Sequence, residues 1–126
     1  MKFLIDSDFL IALIKQDDNN HQKAIEKLKN LQNEIIYTNL FVVAETATVL
    51  SYKVSHNAAK KFLKSIRYNI SALPINNDII AEADKIFISQ NKNRTSWIDC
   101  LNIAMINYYK LDGILSFDKF YKKLKI

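Results

Sequence analysis

Short apolar runs alternate with longer segments of helical periodicity along the chain, and this alternation limits the folds open to it. Three runs are apolar and too short for buried helices: Phe3-Leu4-Ile5, Ile35-Ile36-Tyr37 and residues 114–117. A weaker run at residues 70–75 contains Pro74, which suits an edge strand because proline cannot donate to a neighbouring strand. Strands that alternate with helices favour an α/β fold, a mostly parallel sheet with helices on both faces.

The segments between these runs are predicted to be helical. Capping residues and apolar spacing place helices at residues 9–14, 24–31, 40–52, 57–67, 96–109 and, after the capping residues 76–78, up to residue 89. Gly113 is expected to end the last helix in the left-handed conformation, and a short turn with a last strand at residues 123–126 is predicted to close the chain. With 126 residues, the chain is predicted to form one helix-rich domain, residues 1–126.

Composition indicates where in the cell the protein works more clearly than what it does. The net charge of +5 fits a polyanionic partner such as nucleic acid, but a lysine-rich surface that favours solubility has the same charge. Cys100 is the only cysteine, which excludes an internal disulfide, and its apolar neighbours favour a buried packing role. The N-terminal apolar run is too short for a signal peptide, and no segment approaches the roughly 20 apolar residues of a membrane span. We expect a cytoplasmic protein that does not enter the membrane.

Two aspartates are predicted to follow strands directly, Asp6 after the first strand and Asp118 after residues 114–117. Ligands of open parallel sheets bind beyond the carboxyl ends of the strands, so both carboxylates are expected at one edge of the sheet. Aspartate is also a common loop residue after a strand, and this explanation suffices for either residue taken alone.

Glu45 is the only charged residue between Leu40 and Leu50. A helix this apolar is expected to be buried on most sides, where an ionised glutamate is costly unless it is paired or binds a metal. The alternative is a narrow solvent-exposed stripe that Glu45 shares with Thr48. We interpret Glu45 as a functional residue.

Asp99 lies three residues after Ser96, the spacing of a capping box, and an acid in the first turn also suits the helix dipole. The helix carries no other charge through Tyr109, so Asp99 marks its one polar end. A residue at such a position can cap the helix and also belong to a functional site. If the fold gathers the four carboxylates, their mutual repulsion favours a hard divalent cation. Such ions activate water and neutralise charge on phosphoryl oxygens.

Taken together, these residues resemble the PIN-domain family, and within it the small VapC-type toxins of toxin–antitoxin pairs. The resemblance extends over essentially the whole chain. It is carried by three motifs and one helical acid: Phe3-Leu4-Ile5-Asp6-Ser7, Glu45, Thr95-Ser96-Trp97-Ile98-Asp99-Cys100 and Leu115-Ser116-Phe117-Asp118. Asp8 stands where the family more often has Asn or Ser, and we interpret it as a cap of the first helix.

The resemblance implies a three-layer α/β/α sandwich that hydrolyses RNA phosphodiester bonds with Mg²⁺ or Mn²⁺. The metal would be held, directly or through water, by the four acids: Asp6, Glu45, Asp99 and Asp118. Ser7 and Ser96 are the expected hydrogen-bond donors behind these ligands. The resemblance also implies a homodimer and a cognate antitoxin that blocks the site.

Three basic residues are predicted to contact RNA phosphates. Lys92 and Arg94 lie in the polar loop before Asp99, and Lys119 follows Asp118. Their positive charges would offset the repulsion between an acidic site and a polyanionic substrate.

Two other functions remain open from the sequence. Residues 3–8 also resemble the opening motif of haloacid-dehalogenase-type phosphohydrolases, in which Asp6 would be the nucleophile and Asp8 the acid–base. Leu10 departs from that motif, which has threonine at this position. A non-catalytic module that keeps the fold to bind RNA or a protein would retain the same residues. Neither the RNA that is cut nor the number of metal ions follows from the sequence.

Overall fold

The computed structural model describes residues 1–91, 93–122 and 124. Its strands are β1 (Lys2–Ile5), β2 (Ile35–Thr38), β3 (Ser71–Ala72) and β4 (Gly113–Leu115). Its helices are α1 (Ser7–Ile14), α2 (His21–Lys29), α3 (Leu40–Lys53), α4 (His56–Asn69), α5 (Asn77–Ile88) and α6 (Trp97–Tyr109), followed by a 3₁₀ turn at Lys119–Tyr121. Within the described part of the chain no helix is long and apolar enough to cross a bilayer.

The four strands form one sheet in the order β3-β2-β1-β4, and every pair is parallel. The central strand β1 pairs Phe3 with Ile36 on one side and with Gly113 on the other. The chain moves outward from β1 through β2 to β3 and then returns to the other side of β1. The strand order therefore reverses between β1 and β4, where open α/β sheets form their ligand sites.

The sheet separates two apolar clusters. Because side chains of a strand alternate between its faces, Ile5 packs with α1 and α3 whereas its neighbour Leu4 packs with α5 and α6. Leu115 and Ile114 of β4 divide in the same way. The result is the predicted three-layer α/β/α sandwich, with a short parallel sheet and an excess of helix.

Two predictions about the end of the chain need correction or lie outside the described residues. Lys110, with φ 53°, takes the left-handed position after α6, whereas Gly113 is buried and opens β4 against Phe3. The helix therefore ends before Gly113, at Lys110, and Gly113 belongs to the strand that follows. Of the predicted last strand at residues 123–126, only Leu124 is described, and its carbonyl oxygen accepts from the Ile114 N–H.

The prediction that α3 is buried on most sides is wrong. Val42, Val43 and Leu50 are buried, but Leu40 is 58% exposed and Phe41 is 39% exposed. The helix is apolar around most of its circumference, while α1 and α4 cover only part of it. Periodicity shows which residues could be buried, but not whether a neighbour covers them.

Candidate metal centre

Asp6 ends β1 and begins α1, so one residue serves both elements. Its N–H donates to the Leu115 carbonyl oxygen at 3.0 Å, which extends the pairing with β4, and its side chain caps α1 by accepting from the Ser7 N–H at 2.9 Å. Asp6 is only 5% exposed. Its Oδ1 also accepts from Asn102 Nδ2 at 3.2 Å, and its Oδ2 lies 3.3 Å from the Ser116 hydroxyl.

The pKa of Asp6 is raised from its ordinary 3.8 to about 7, mainly by burial and in addition by the negative charges of Asp8, Asp99 and Glu45. The hydrogen bond from the Ser7 N–H acts in the opposite direction. The carboxyl group is therefore hard to ionise without a compensating positive charge. Of the predicted acids, Asp99 and Glu45 are thus brought to Asp6.

Asp99 takes part in the predicted capping box at the start of α6. Its N–H donates to Ser96 Oγ at 3.0 Å, and its Oδ2 accepts from the Ser96 N–H at 3.2 Å. Its other oxygen, Oδ1, accepts from the Tyr121 hydroxyl at 2.9 Å. Ser96 accordingly fixes the Asp99 side chain from the helix end while Tyr121 fixes it from the C-terminal turn.

Glu45 reaches the same region from α3 and is half-buried. Its Oε1 accepts from Ser7 Oγ at 3.1 Å, so the side chain of Ser7 faces Glu45 while its N–H binds Asp6. The role of Ser7 as a donor behind metal-binding acids stays a prediction.

Asp118 is exposed and lies at the rim. β4 ends at Leu115, and it is Ser116, rather than Asp118, that lies next to Asp6. Asp118 caps the 3₁₀ turn by accepting from the Phe120 N–H at 2.9 Å, and its own N–H donates to Ser116 Oγ at 3.0 Å. The prediction that Asp118 follows the strand directly is therefore wrong by two residues, because the chain leaves the sheet early.

Asp8 has a different role from the predicted cap, which Asp6 supplies. Its Oδ2 accepts from the Phe117 N–H at 3.0 Å, and both its oxygens lie 3.2 Å from Ser116 Oγ. Burial raises the pKa of Asp8, the charge of Asp118 adds to the rise, and these hydrogen bonds oppose it. Asp8 thus fastens the loop that carries Asp118.

Three buried polar residues behind the acids were not predicted as part of the site: Asn39, Asn102 and Tyr121. Asn102 lies one helical turn after Asp99 and is the only polar residue from Cys100 to Ile106, a signal that could have identified it. Nothing local marks Tyr121. Burial and the charges of Asp6 and Asp99 raise its pKa above the usual range, so the hydroxyl remains a donor.

A cavity of about 660 Å³ opens beside the acids between the α5–α6 loop and the C-terminal turn. Asp99 and Asp118 line it on the acidic side, and Arg94, Lys119 and Lys122 contribute its positive charges. Asp6 and Glu45 lie outside its lining. Lys92, predicted as a phosphate contact in the same loop, lies outside the described residues.

The donor chemistry suits a hard cation, because every acid at this edge offers carboxylate oxygens. Among the residues that the structure describes, no three His, Cys, Asp or Glu side chains stand close enough to form a ready ligand group. Mg²⁺ commonly uses one or two carboxylates and keeps several waters, so it does not require such a group. The crowding of charge around Asp6 is the feature that a divalent ion would relieve.

Comparisons with known proteins agree with this architecture. A model of the PIN domain matches residues 3–126. The crystal structure of Mycobacterium tuberculosis VapC20, a sarcin–ricin-loop-cleaving toxin, superposes with a TM-score of 0.85 at 20% sequence identity, covering 95% of this chain and 92% of that one. At this identity the likeness concerns the fold. No curated protein matches the sequence.

Proposed function

The chain belongs to the PIN-domain family, and from this premise we propose that it is a metal-dependent endoribonuclease, the toxin of a toxin–antitoxin pair. The observation that carries the proposal is the state of Asp6 at the sheet's switch point, where burial and the nearby charges of Asp8, Asp99 and Glu45 raise its pKa to about 7. A phosphohydrolase of the haloacid-dehalogenase type is less well supported, because Asp8 is engaged with Ser116 and Phe117.

Mg²⁺ or Mn²⁺ is the proposed cofactor. Asp6 and Asp99 would hold it directly, whereas Glu45 and Asp118 would act through water. The bound ion would supply an activated water and neutralise charge on the phosphoryl oxygen. The protein's own contribution is to fix the carboxylates: Ser7 and Ser96 donate to them, and the burial of Asp6 excludes bulk water.

The proposed path of the RNA is the cavity beside Asp99. Arg94 and Lys119 face this cavity together with Lys122, and they would bind phosphates on either side of the scissile bond. Lys92 belongs to the same loop and is proposed for the same role. Because these contacts are ionic, we expect substrate binding to weaken as salt rises.

A homodimer and an antitoxin are the proposed protein partners. A toxin that cleaves RNA of its own cell must be kept inactive while the cell grows, and VapC20 is itself named as a toxin. Exposed apolar side chains are available for such contacts, among them Leu40, Phe41 and Ile88, the last of which is 81% exposed.

Cleavage of RNA by the purified chain tests the proposal. The wild type is incubated with total RNA and Mn²⁺, once without and once with a chelator. The Asp6→Asn variant is incubated with total RNA and Mn²⁺ in the same way. The matched control is Asp112→Asn, the same change at an exposed acid that accepts from the Lys2 N–H at the start of β1. We expect cleavage by the wild type and by Asp112→Asn, and none after chelation or by Asp6→Asn.

Two results would contradict the proposal. Cleavage that survives both chelation and Asp6→Asn would not come from this site. No cleavage, together with an equal thermal shift by Mn²⁺ in the wild type and in Asp6→Asn, would favour the non-catalytic module. If the proposal holds, Mn²⁺ raises the Tm of the wild type by mass action and has a weaker effect on Asp6→Asn.

A further inference from the structure

A chain of hydrogen bonds runs behind the acidic site through the core. Asn39 Nδ2 donates to Asn102 Oδ1 at 3.0 Å, and Asn102 Nδ2 donates both to Asp6 Oδ1 at 3.2 Å and to Tyr121 Oη at 3.0 Å. The Tyr121 hydroxyl then donates to Asp99 Oδ1 at 2.9 Å. This series of hydrogen bonds thus ends on two carboxylates, Asp6 and Asp99, which belong to different elements.

The direction of every bond in this chain is determined. Asn39 Oδ1 accepts from the Val42 N–H at 3.0 Å, so the amide nitrogen of Asn39 must face Asn102. Asn102 therefore presents its oxygen to Asn39 and its nitrogen to Asp6 and Tyr121. Because Tyr121 Oη accepts from Asn102, its single proton is left for Asp99. A backbone N–H at the start of α3 in this way sets the orientation of donors at the acids.

These residues are costly to keep in the core. Asn39 and Asn102 are fully buried and Tyr121 is 1% exposed, and Tyr121 packs among apolar residues that include Leu4 and Ile114. A buried amide or hydroxyl is unfavourable unless its hydrogen bonds are made, and a phenylalanine would fill nearly the same space as Tyr121. Packing alone therefore does not account for the hydroxyl.

The bonds also determine which carboxylate lone pairs remain. Asp6 Oδ1 accepts from both the Ser7 N–H and Asn102, which occupies its two lone pairs, whereas Oδ2 faces Ser116 alone among the described residues. Each oxygen of Asp99 accepts one bond and keeps one lone pair. Oδ2 is thus the oxygen of Asp6 that keeps a free lone pair, and Asp99 is held from two sides.

We propose that Asn102 and Tyr121 are positioning residues that hold the free oxygens of Asp6 and Asp99 in place before a divalent ion arrives, with Asn39 setting their direction. This inference rests on the proposed function, because it assigns the two residues to the ion site of that nuclease. Fixed ligands bind more tightly because less ordering is left to the binding step. The same bonds attach the C-terminal turn, and with it Asp118 and Lys119, to the site.

The experiment measures Mn²⁺ binding to the metal-free protein by calorimetry, without RNA. The variants are Tyr121→Phe and Asn102→Leu, which keep the volume and remove the donors. The matched control is Tyr109→Phe, which deletes a hydroxyl that donates to the Pro74 carbonyl oxygen away from the acids. Since partners behind metal ligands typically account for 10- to 100-fold in affinity, we expect Tyr121→Phe to bind Mn²⁺ roughly 10-fold more weakly. Tyr109→Phe should bind like the wild type.

The outcomes separate this inference from the proposed function. Equal Mn²⁺ affinity in the wild type, Tyr121→Phe and Tyr109→Phe overturns the positioning role and leaves the nuclease standing. A wild type that binds no Mn²⁺ overturns both. The Tm of each metal-free variant is measured alongside, and if Asn102→Leu does not fold, Tyr121→Phe decides the question. A loss of affinity confined to the site variants, at a Tm similar to that of Tyr109→Phe, supports positioning over a merely structural role.

Discussion

The acids at the sheet edge form two pairs that the protein holds very differently. The side chains of the inner acids, Asp6 and Asp99, each accept at least two hydrogen bonds. Among the described residues, the side chain of each outer acid accepts one hydrogen bond, Glu45 from Ser7 Oγ and Asp118 from the Phe120 N–H of its own turn. Asp6 is buried, Asp99 and Glu45 are half-buried, and Asp118 is exposed.

This difference shows where the charge is costly. Asp6 is buried and its pKa rises to about 7, whereas Asp118 is exposed to solvent that screens its charge. Asp6 therefore gains most from a bound cation, and the two inner acids, which accept more hydrogen bonds, have least freedom to move. The outer acids can adjust to water or substrate at little cost. We expect functional losses to follow the same division.

The largest effect should be on the rate of RNA cleavage by Asp6→Asn or Asp99→Asn. Loss of a direct metal ligand removes several kcal/mol of transition-state stabilisation, and about 4 kcal/mol corresponds to about 1,000-fold in rate. Asp118→Asn, which changes a water-mediated contact, should lose only about 10-fold. Initial rates with Mn²⁺ measure all three. Equal losses at Asp6 and Asp118 would erase the distinction between inner and outer acids.

The stability of the metal-free protein should depend on pH through Asp6. Its pKa is raised from 3.8 to about 7 on folding, so the unfolded chain ionises first as pH rises. The contribution of Asp6 to the free energy of unfolding is therefore greatest below about pH 4 and is lost as pH rises to about 7. At 1.36 kcal/mol per pKa unit, the loss is at most about 4 kcal/mol. Urea unfolding with chelator at several pH values measures this loss.

Asp6→Asn provides the contrast in that experiment. Asparagine keeps an acceptor for the Ser7 N–H but does not ionise, so the decline between pH 4 and pH 7 should flatten. Asp118→Asn, at an exposed position, should retain the wild-type decline. A profile that is the same in all three proteins would mean that Asp6 is not the group responsible.

Much of the fold could be predicted because it depends on local signals. Apolar runs with capping residues placed α3 at residues 40–52 against the observed Leu40–Lys53, and the parallel sheet followed from the alternation of strands and helices. Asp6 could be placed because a strand and a helix meet there. Asp99 could be placed because a capping box is a short-range pattern.

What was missed depends on distant contacts. Asn102 and Asp6 are 96 residues apart, and Tyr121 meets Asn102 only because the C-terminal turn folds back on α6. No periodicity encodes such a meeting. The exposed side of α3 was missed for a related reason, since apolar spacing does not reveal whether another element covers it. Gly113 was wrongly predicted to end α6, because Lys110, earlier in the sequence, takes the left-handed position there.

The smallest effect should come from Ser7→Ala, which loosens an outer acid without touching the inner pair. The backbone N–H of residue 7 still caps Asp6, but Glu45 loses the hydroxyl 3.1 Å from its Oε1. One such hydrogen bond contributes about 1 kcal/mol, so we expect a loss of about 5-fold in cleavage rate. Ser65→Ala, whose hydroxyl donates within α4, is the matched control and should cleave normally. A loss as large as that of Asp6→Asn would place Glu45 with the inner acids, since its orientation would then matter as much as theirs.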